Sequence, residues 1–218
     1  MLIVIVFLVG ITAQFGLSYE KRFHKLFTII HQEMVQNAQG DVATAIRDSI
    51  SEADKNPISY GIATLLWGSQ VMDARIKNYV PSWLASWLGE WDHKPIILSK
   101  MTDEEGWSCI GSSRYRYDIW SNIHYGYVGA ASGFNKTVLV ENAGLEQVGS
   151  NIISHHIPHY SSQNQTLIEG FAPNVGWDEA SDVASIIIGA NLWKNYGLTV
   201  TPADIALAII ENPYLAKR

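Results

Sequence analysis

The 218-residue chain has room for one ordinary domain with a short appendage and not for two full domains. Hydrophobic residues make up 47% of it and charged residues 17%, with eight tryptophans and ten tyrosines, which excludes a disordered or purely solvating chain. A formal charge of -6 excludes a broad cationic surface for nucleic acid, since that mode needs many Lys and Arg to displace counterions. It leaves room for an enzyme that meets RNA through a few local cations. The single Cys109 rules out an intrachain disulfide and a zinc site of Cys type.

In chain order, residues 1–13 are apolar and uncharged, and the first charges are Glu20, Lys21 and Arg22. Residues 1–18 therefore read as a signal-like or anchor segment, with Gly16-Leu17-Ser18 as an acceptable small-x-small cleavage site, although a signal peptide carries its positive charges before the apolar run. The alternatives are a membrane anchor, for which about 20 apolar residues are wanted, or a first element buried in the globule. Secretion or membrane association is expected on this basis. From Tyr19 to Ala38, Phe23, Phe27, Ile30 and Met34 recur at three- and four-residue spacing, predicting an amphipathic helix stopped by Gly40. Asp41 is the expected cap of a second helix carrying Val42, Ile46 and Ile50, and Pro57 suits the first turn of a third through Leu65, Leu66, Met72 and Ile76.

Trp83, Leu84, Trp87 and Leu88 predict a short helix after Pro81 with its aromatic face buried, ending at Gly89. Glu90 to Tyr117 has no sustained period and reads as a long loop holding one or two short strands. A helix is expected over Asn135 to Gln147, then a second long loop from Gly149 to Gly176. Asp178 is expected to cap a helix with Val183, Ile186, Ile187, Ala190 and Trp193 on one stripe, and Thr201-Pro202-Ala203-Asp204 has the form of a capping box for a last helix stopped by Pro213. The fold class is mainly α: a single helical domain with two long irregular loops. Residues 19–80 form its N-terminal helical region, and residues 81–218 hold the functional motifs and the C-terminal helices.

The segment from Asp118 to Phe134 carries the least ordinary pattern. As a helix it places Asp118, Asn122, Gly126, Gly129 and Gly133 on one stripe. Three interior glycines would cost about 3 kcal/mol relative to alanine, so another helix or a substrate should approach that backbone closely. His124 falls on a different face, so a perfect helix would keep Asp118 and His124 apart, and a break near Tyr125-Gly126 would bring them together.

Asp118-Ile-Trp-Ser-Asn-Ile-His-Tyr-Gly-Tyr-Val-Gly-Ala-Ala-Ser-Gly-Phe134, preceded by Trp91-Asp-His-Lys-Pro95 and followed by Glu141-Asn-Ala-Gly-Leu-Glu-Gln147, resembles the bacterial polymorphic toxin type 44 domain. The likeness runs from about Trp87 to Trp193, and its specificity lies in combining the Asn-x-His-Tyr-Gly core with the upstream Trp-Asp-x-Lys. It implies a toxin of competition between bacteria, an effector-like hydrolase and most readily a ribonuclease, accompanied by an immunity protein. The chain departs from the family's denser acidic run before the late helix, having Trp177-Asp178-Glu179-Ala180-Ser181-Asp182 there.

In that context His124, Asp92, Lys94, Asp118 and Asn122 are the candidate catalytic residues, and Trp91, Arg114, Arg116 and Tyr125 the candidate substrate-binding ones. His124 titrates near working pH and suits a general acid or base; a hydrogen-bonded core histidine is the competing reading. Asp92 and Lys94 could bring a carboxylate and a cation to the reacting bond, or form a surface ion pair beside a buried Trp91. Asn122 could orient substrate or close a loop. Arg114 and Arg116 alternate with Tyr115 and Tyr117, which suits phosphate contact with base stacking, while an alternating strand explains the same spacing more simply. His155, His156 and His159 are not expected to hold a metal, because Pro158 prevents a helical i,i+4 pair, and no cofactor is expected. The substrate is RNA or, on a cell-envelope hydrolase reading, a peptidoglycan polymer attacked by two carboxylates from among Glu90, Asp92, Asp118 and Glu141. A non-catalytic relative that binds a partner is the third reading.

Overall fold

The computed structural model describes residues 16–72, 77–78, 80–94, 96–97, 106–110, 113–143 and 177–215. Residues 1–15 and the histidines at 155, 156 and 159 lie outside that set. The described chain is mainly helical, with one two-stranded antiparallel sheet. Among these residues no helix is long and apolar enough to cross a membrane.

The first helix, α1 (Gly16–Gln39), buries Leu26, Phe27, Ile30, Met34 and Ala38, the stripe that three- and four-residue spacing dictates. α2 (Asp41–Ser51) follows after a single residue and buries Ala43 and Ile46. Its N-cap is Gly40, in an extended conformation, and Asp41 lies inside the first turn, where its charge meets the helix dipole rather than capping it. α3 (Pro57–Val71) has Pro57 in its first turn, as the sequence predicts, and the structure adds Asn56 as the N-cap, its side chain accepting from the Ile58 amide at 3.2 Å. The Arg47 guanidinium ties two helix ends together, donating to the Ala38 carbonyl at 3.2 Å and the Ala131 carbonyl at 2.7 Å.

α4 (Ser82–Ala85) corrects the expected buried aromatic face. The helix is one turn long and ends before Trp87, and Trp83 and Trp87 are 71% and 67% exposed, since residue type alone does not bury a ring without a neighbour packed over it; Leu88 alone of that group is buried. Gly89 has φ +62, which fits its place as the stop. The long loop contains β1 (Trp107–Ile110) and β2 (Ser113–Arg116), paired antiparallel with Ser108 opposite Tyr115. Tyr115 points inward, and Ser108 joins the hairpin to the core by accepting from Trp120 Nε1 at 2.8 Å and donating to the Tyr115 carbonyl.

α5 (Asp118–Ala131) is the central element and α7 (Trp177–Tyr196) its main neighbour. α5 is unbroken through Tyr125 and Gly126, contrary to the break that would have joined Asp118 to His124. It ends in a Schellman motif: the Gly133 amide reaches Ala130 and the Phe134 amide reaches Gly129 at 3.1 Å, with Gly133 at φ +97. Gly133 therefore terminates the helix and is not part of its glycine stripe. Where α5 crosses α7, a Cβ on Gly126 would strike the Ile186 backbone, and one on Gly189 the backbone of Ile123 and Tyr127. The object approaching those glycines is thus another helix. A Cβ on Gly129 would meet the Leu139 and Trp67 side chains.

α6 (residues 136–143) starts at Asn135, whose side chain accepts from the Val138 amide at 3.0 Å. α7 is already helical at Trp177, which puts Asp178 within its first turn. Its burial is wider than the predicted stripe: Ser181, Ala184, Ser185, Ile186, Ile188, Ala190 and Leu192 are all buried, whereas Val183, Ile187 and Trp193 are partly exposed. A helix packed on several sides loses the amphipathic signature. α8 (Pro202–Ile210) carries the predicted capping box, Thr201 and Asp204 each bonding the other's backbone. His31 of α1 bonds the Val200 carbonyl at 2.8 Å, so one hydrophobic core runs from α1 to the C-terminal helices.

Candidate functional site: a buried pair of histidines

α5 projects its polar groups in three directions, and each finds a different partner. Asp118 stands at its start and pairs with Arg116 at 3.2 Å, both partly exposed. Asn122 faces α7 and donates to the Asp182 carboxylate at 2.7 Å. His124 faces α1 and is 1% exposed.

Of the run Trp91 to Lys94, His93 is the residue that meets His124 of α5. The two imidazoles are 4.3 Å apart between centroids and inclined at 54°. Trp91 is buried edge-on against Trp67, 5.5 Å away, and its carbonyl accepts from His93 Nδ1 at 2.8 Å. The Asp92 carboxylate accepts from the Lys94 backbone amide at 3.2 Å, a local turn that fixes the run's path. Tyr125 leans on Trp67 with centroids at 4.9 Å and donates its hydroxyl to the Leu139 carbonyl. Arg114 lies over the Trp107 ring at 5.9 Å, within cation–π reach.

Two residues of α1 complete the histidine cluster, and the sequence reading did not single them out. Glu33 Oε2 stands 3.3 Å from His93 Nε2. The Asn37 amide nitrogen is 3.4 Å from the same carboxylate and 3.0 Å from His124 Nε2. Because a carboxylate only accepts, it fixes the orientation of the Asn37 amide, which then donates to His124 as well. His124 Nε2 consequently carries a lone pair, and the ring's proton belongs on Nδ1. That Nδ1 is buried with no hydrogen-bond partner among the described residues. Burial, reinforced by the neighbouring His93, lowers the His124 pKa well below its ordinary 6.5, so the ring is neutral. The hydrogen bond from His93 and its positive charge hold the Glu33 carboxyl below 4.5 against a smaller opposing effect of burial. Both His93 nitrogens face oxygen acceptors, the Trp91 carbonyl and the Glu33 carboxylate.

Glu33 and Asn37 left one legible trace. They stand four apart at the edge of the Ile30-Met34-Ala38 stripe, a polar pair bordering an apolar face. Asp182 left less, since its partner lies sixty residues earlier. Among the described residues no group of three or more His, Cys, Asp or Glu is placed to hold a metal ion.

Fold and site together define a mainly helical domain whose central glycine-crossed helix presents a neutral buried imidazole to a second one. The model of the family described as bacterial toxin 44 matches residues 87–195, half of the chain, and the protein belongs to that family. Its role is that of a bacterial toxin. No curated protein and no solved structure matches the chain.

Proposed function

We propose that this toxin acts as a ribonuclease by general acid–base catalysis, with His124 as the base and His93 as its acid partner. The observation that carries the reading is His124 itself: fully buried, neutral, its Nε2 lone pair held in one direction and its Nδ1–H without a partner among the described residues. An orphaned buried donor costs about 1–3 kcal/mol, and polar groups kept at that cost cluster at functional sites. Environments that keep one imidazole neutral while surrounding the other with acceptors divide base from acid. In the reaction, His124 Nε2 takes the proton of a ribose 2'-hydroxyl and the 2'-oxygen attacks phosphorus. The P–O5' bond breaks, and the leaving oxygen receives a proton from His93, giving a 2',3'-cyclic phosphate and a free 5'-hydroxyl. Lys94, Arg114 and Arg116 are the cations assigned to the developing phosphoryl charge, with Asp92 holding the Lys94 turn. Asn122 acts through Asp182, setting the angle at which α5 offers His124.

The envelope-hydrolase alternative requires two carboxylates facing one bond. Glu90 instead holds Lys77 at 2.6 Å and Asp118 holds Arg116, which gives that alternative no support.

The test incubates purified full-length protein with total RNA, with and without a chelator, beside His124→Ala and His93→Ala variants. Cleavage leaving cyclic-phosphate ends, lowered at least a hundredfold in each variant, is the expected result. RNA left intact by the parent under both conditions refutes it.

A further inference from the structure

Resting on the ribonuclease reading, we infer that Glu33 and Asn37 are placeholders: they occupy, with matching chemistry, the subsites that a substrate's hydroxyl and anionic phosphate take at His124 and His93. Asn37 presents an N–H donor to the base nitrogen at 3.0 Å, where the proposed reaction requires an O–H donor. Glu33 presents anionic oxygen to His93 Nε2 at 3.3 Å, where the reaction requires an oxygen of the phosphodiester. The Asn37–Glu33 contact of 3.4 Å joins them as one unit, a donor beside an anion, as a 2'-hydroxyl lies beside its own phosphate.

Three further observations set this pair apart from an ordinary buried network. Both residues belong to α1, which lies wholly outside the family segment of residues 87–195, so they reach the histidines from another part of the chain. The Glu33 side chain is 39% exposed and Asn37 only partly buried, whereas both imidazoles are buried. The two side chains thus form a layer between the histidines and solvent. They can rotate away while Leu26, Ile30 and Met34 keep α1 seated in the core, so exchange for substrate needs side-chain motion and no departure of the helix. With the pair in place, of the four nitrogens of His93 and His124 the buried Nδ1 of His124 alone has no hydrogen-bond partner among the described residues. Activity therefore requires the exchange, and the carboxylate of Glu33 sets the threshold an incoming anion must overcome.

The experiment titrates the full-length protein with adenosine 3'-monophosphate, following the imidazole NMR signals of His93 and His124, and measures total RNA cleavage on the same samples. Glu33→Ala/Asn37→Ala should bind the nucleotide at least tenfold tighter than the parent and cleave RNA faster. Glu33→Gln, which keeps the shape and removes only the charge, should bind at least threefold tighter and serves if the double variant does not fold. Binding unchanged or weaker in the folded variants overturns the inference, since it makes the two residues bystanders or ligands of the substrate. Tighter binding at both imidazoles with RNA left intact supports the subsites and counts against the ribonuclease reading alone.

Discussion

Replacing Gly126 with alanine tests the helix crossing on which the site depends. The added Cβ would stand 2.8 Å from the Ile186 carbonyl carbon and 3.0 Å from its Cα, with the Ile186 oxygen closer still. Ordinary carbon contacts lie at about 3.5–4.0 Å, so α7 must retreat by about 1 Å. Every atom in the way is backbone, and no rotamer change can absorb the overlap. Overpacking of this kind costs about 1–3 kcal/mol, and a backbone clash belongs at the upper end. Alanine's helix propensity returns at most about 1 kcal/mol, so the net loss should be about 2 kcal/mol. For a chain of this length that lowers Tm by roughly 4–8 °C. Gly61→Ala supplies the opposite sign: Gly61 is a helical residue of α3 with nothing within 4 Å of an added Cβ, and the variant should gain about 0.5–1 kcal/mol. Thermal unfolding of both variants beside the parent makes the measurement. A Gly126→Ala transition at or above that of the parent refutes the reasoning.

The remaining predictions concern the site and its frame. Since the folded-state pKa of His124 is lowered, its linked stability is complete above pH 6.5 and is lost as pH falls below that, at up to about 1.4 kcal/mol per unit. Denaturant midpoints of the parent should therefore drop relative to His124→Gln between pH 7 and 5, and parallel curves would refute this. Glu33 acts in a lower window: its depressed pKa gives stability present above 4.5 and lost as pH falls through the folded value, a loss that Glu33→Gln should not show. A double-mutant cycle on Asn122→Ala and Asp182→Ala should give a coupling of about 1.5–3 kcal/mol, the range for a hydrogen bond to a charged group, and zero coupling would remove Asp182 from the frame of the site. Thr201→Ala should cost about 1 kcal/mol in chemical denaturation by removing the capping box of α8.

Local rules determined a good part of this protein from sequence alone. The α1 stripe, the Pro57 start of α3, the Thr201–Asp204 box and the short strands before Asp118 follow from spacing, caps and turn residues, because each involves neighbours within a few positions. The family was legible for the same reason, its two motifs being short runs. What depends on distant partners was not legible. The glycines of α5 announced a close approach, and only the fold shows that Gly189 of α7 supplies it. Trp83 and Trp87 read as core by type but lie outside, since burial depends on what packs against a residue. His124 could be singled out by its motif, whereas its neutral state and the choice of His93 as its partner come from low-dielectric surroundings assembled by three separated segments. Glu33 and Asn37 reach that pair from sixty to ninety residues earlier in the chain, and no local pattern encodes a contact across that distance.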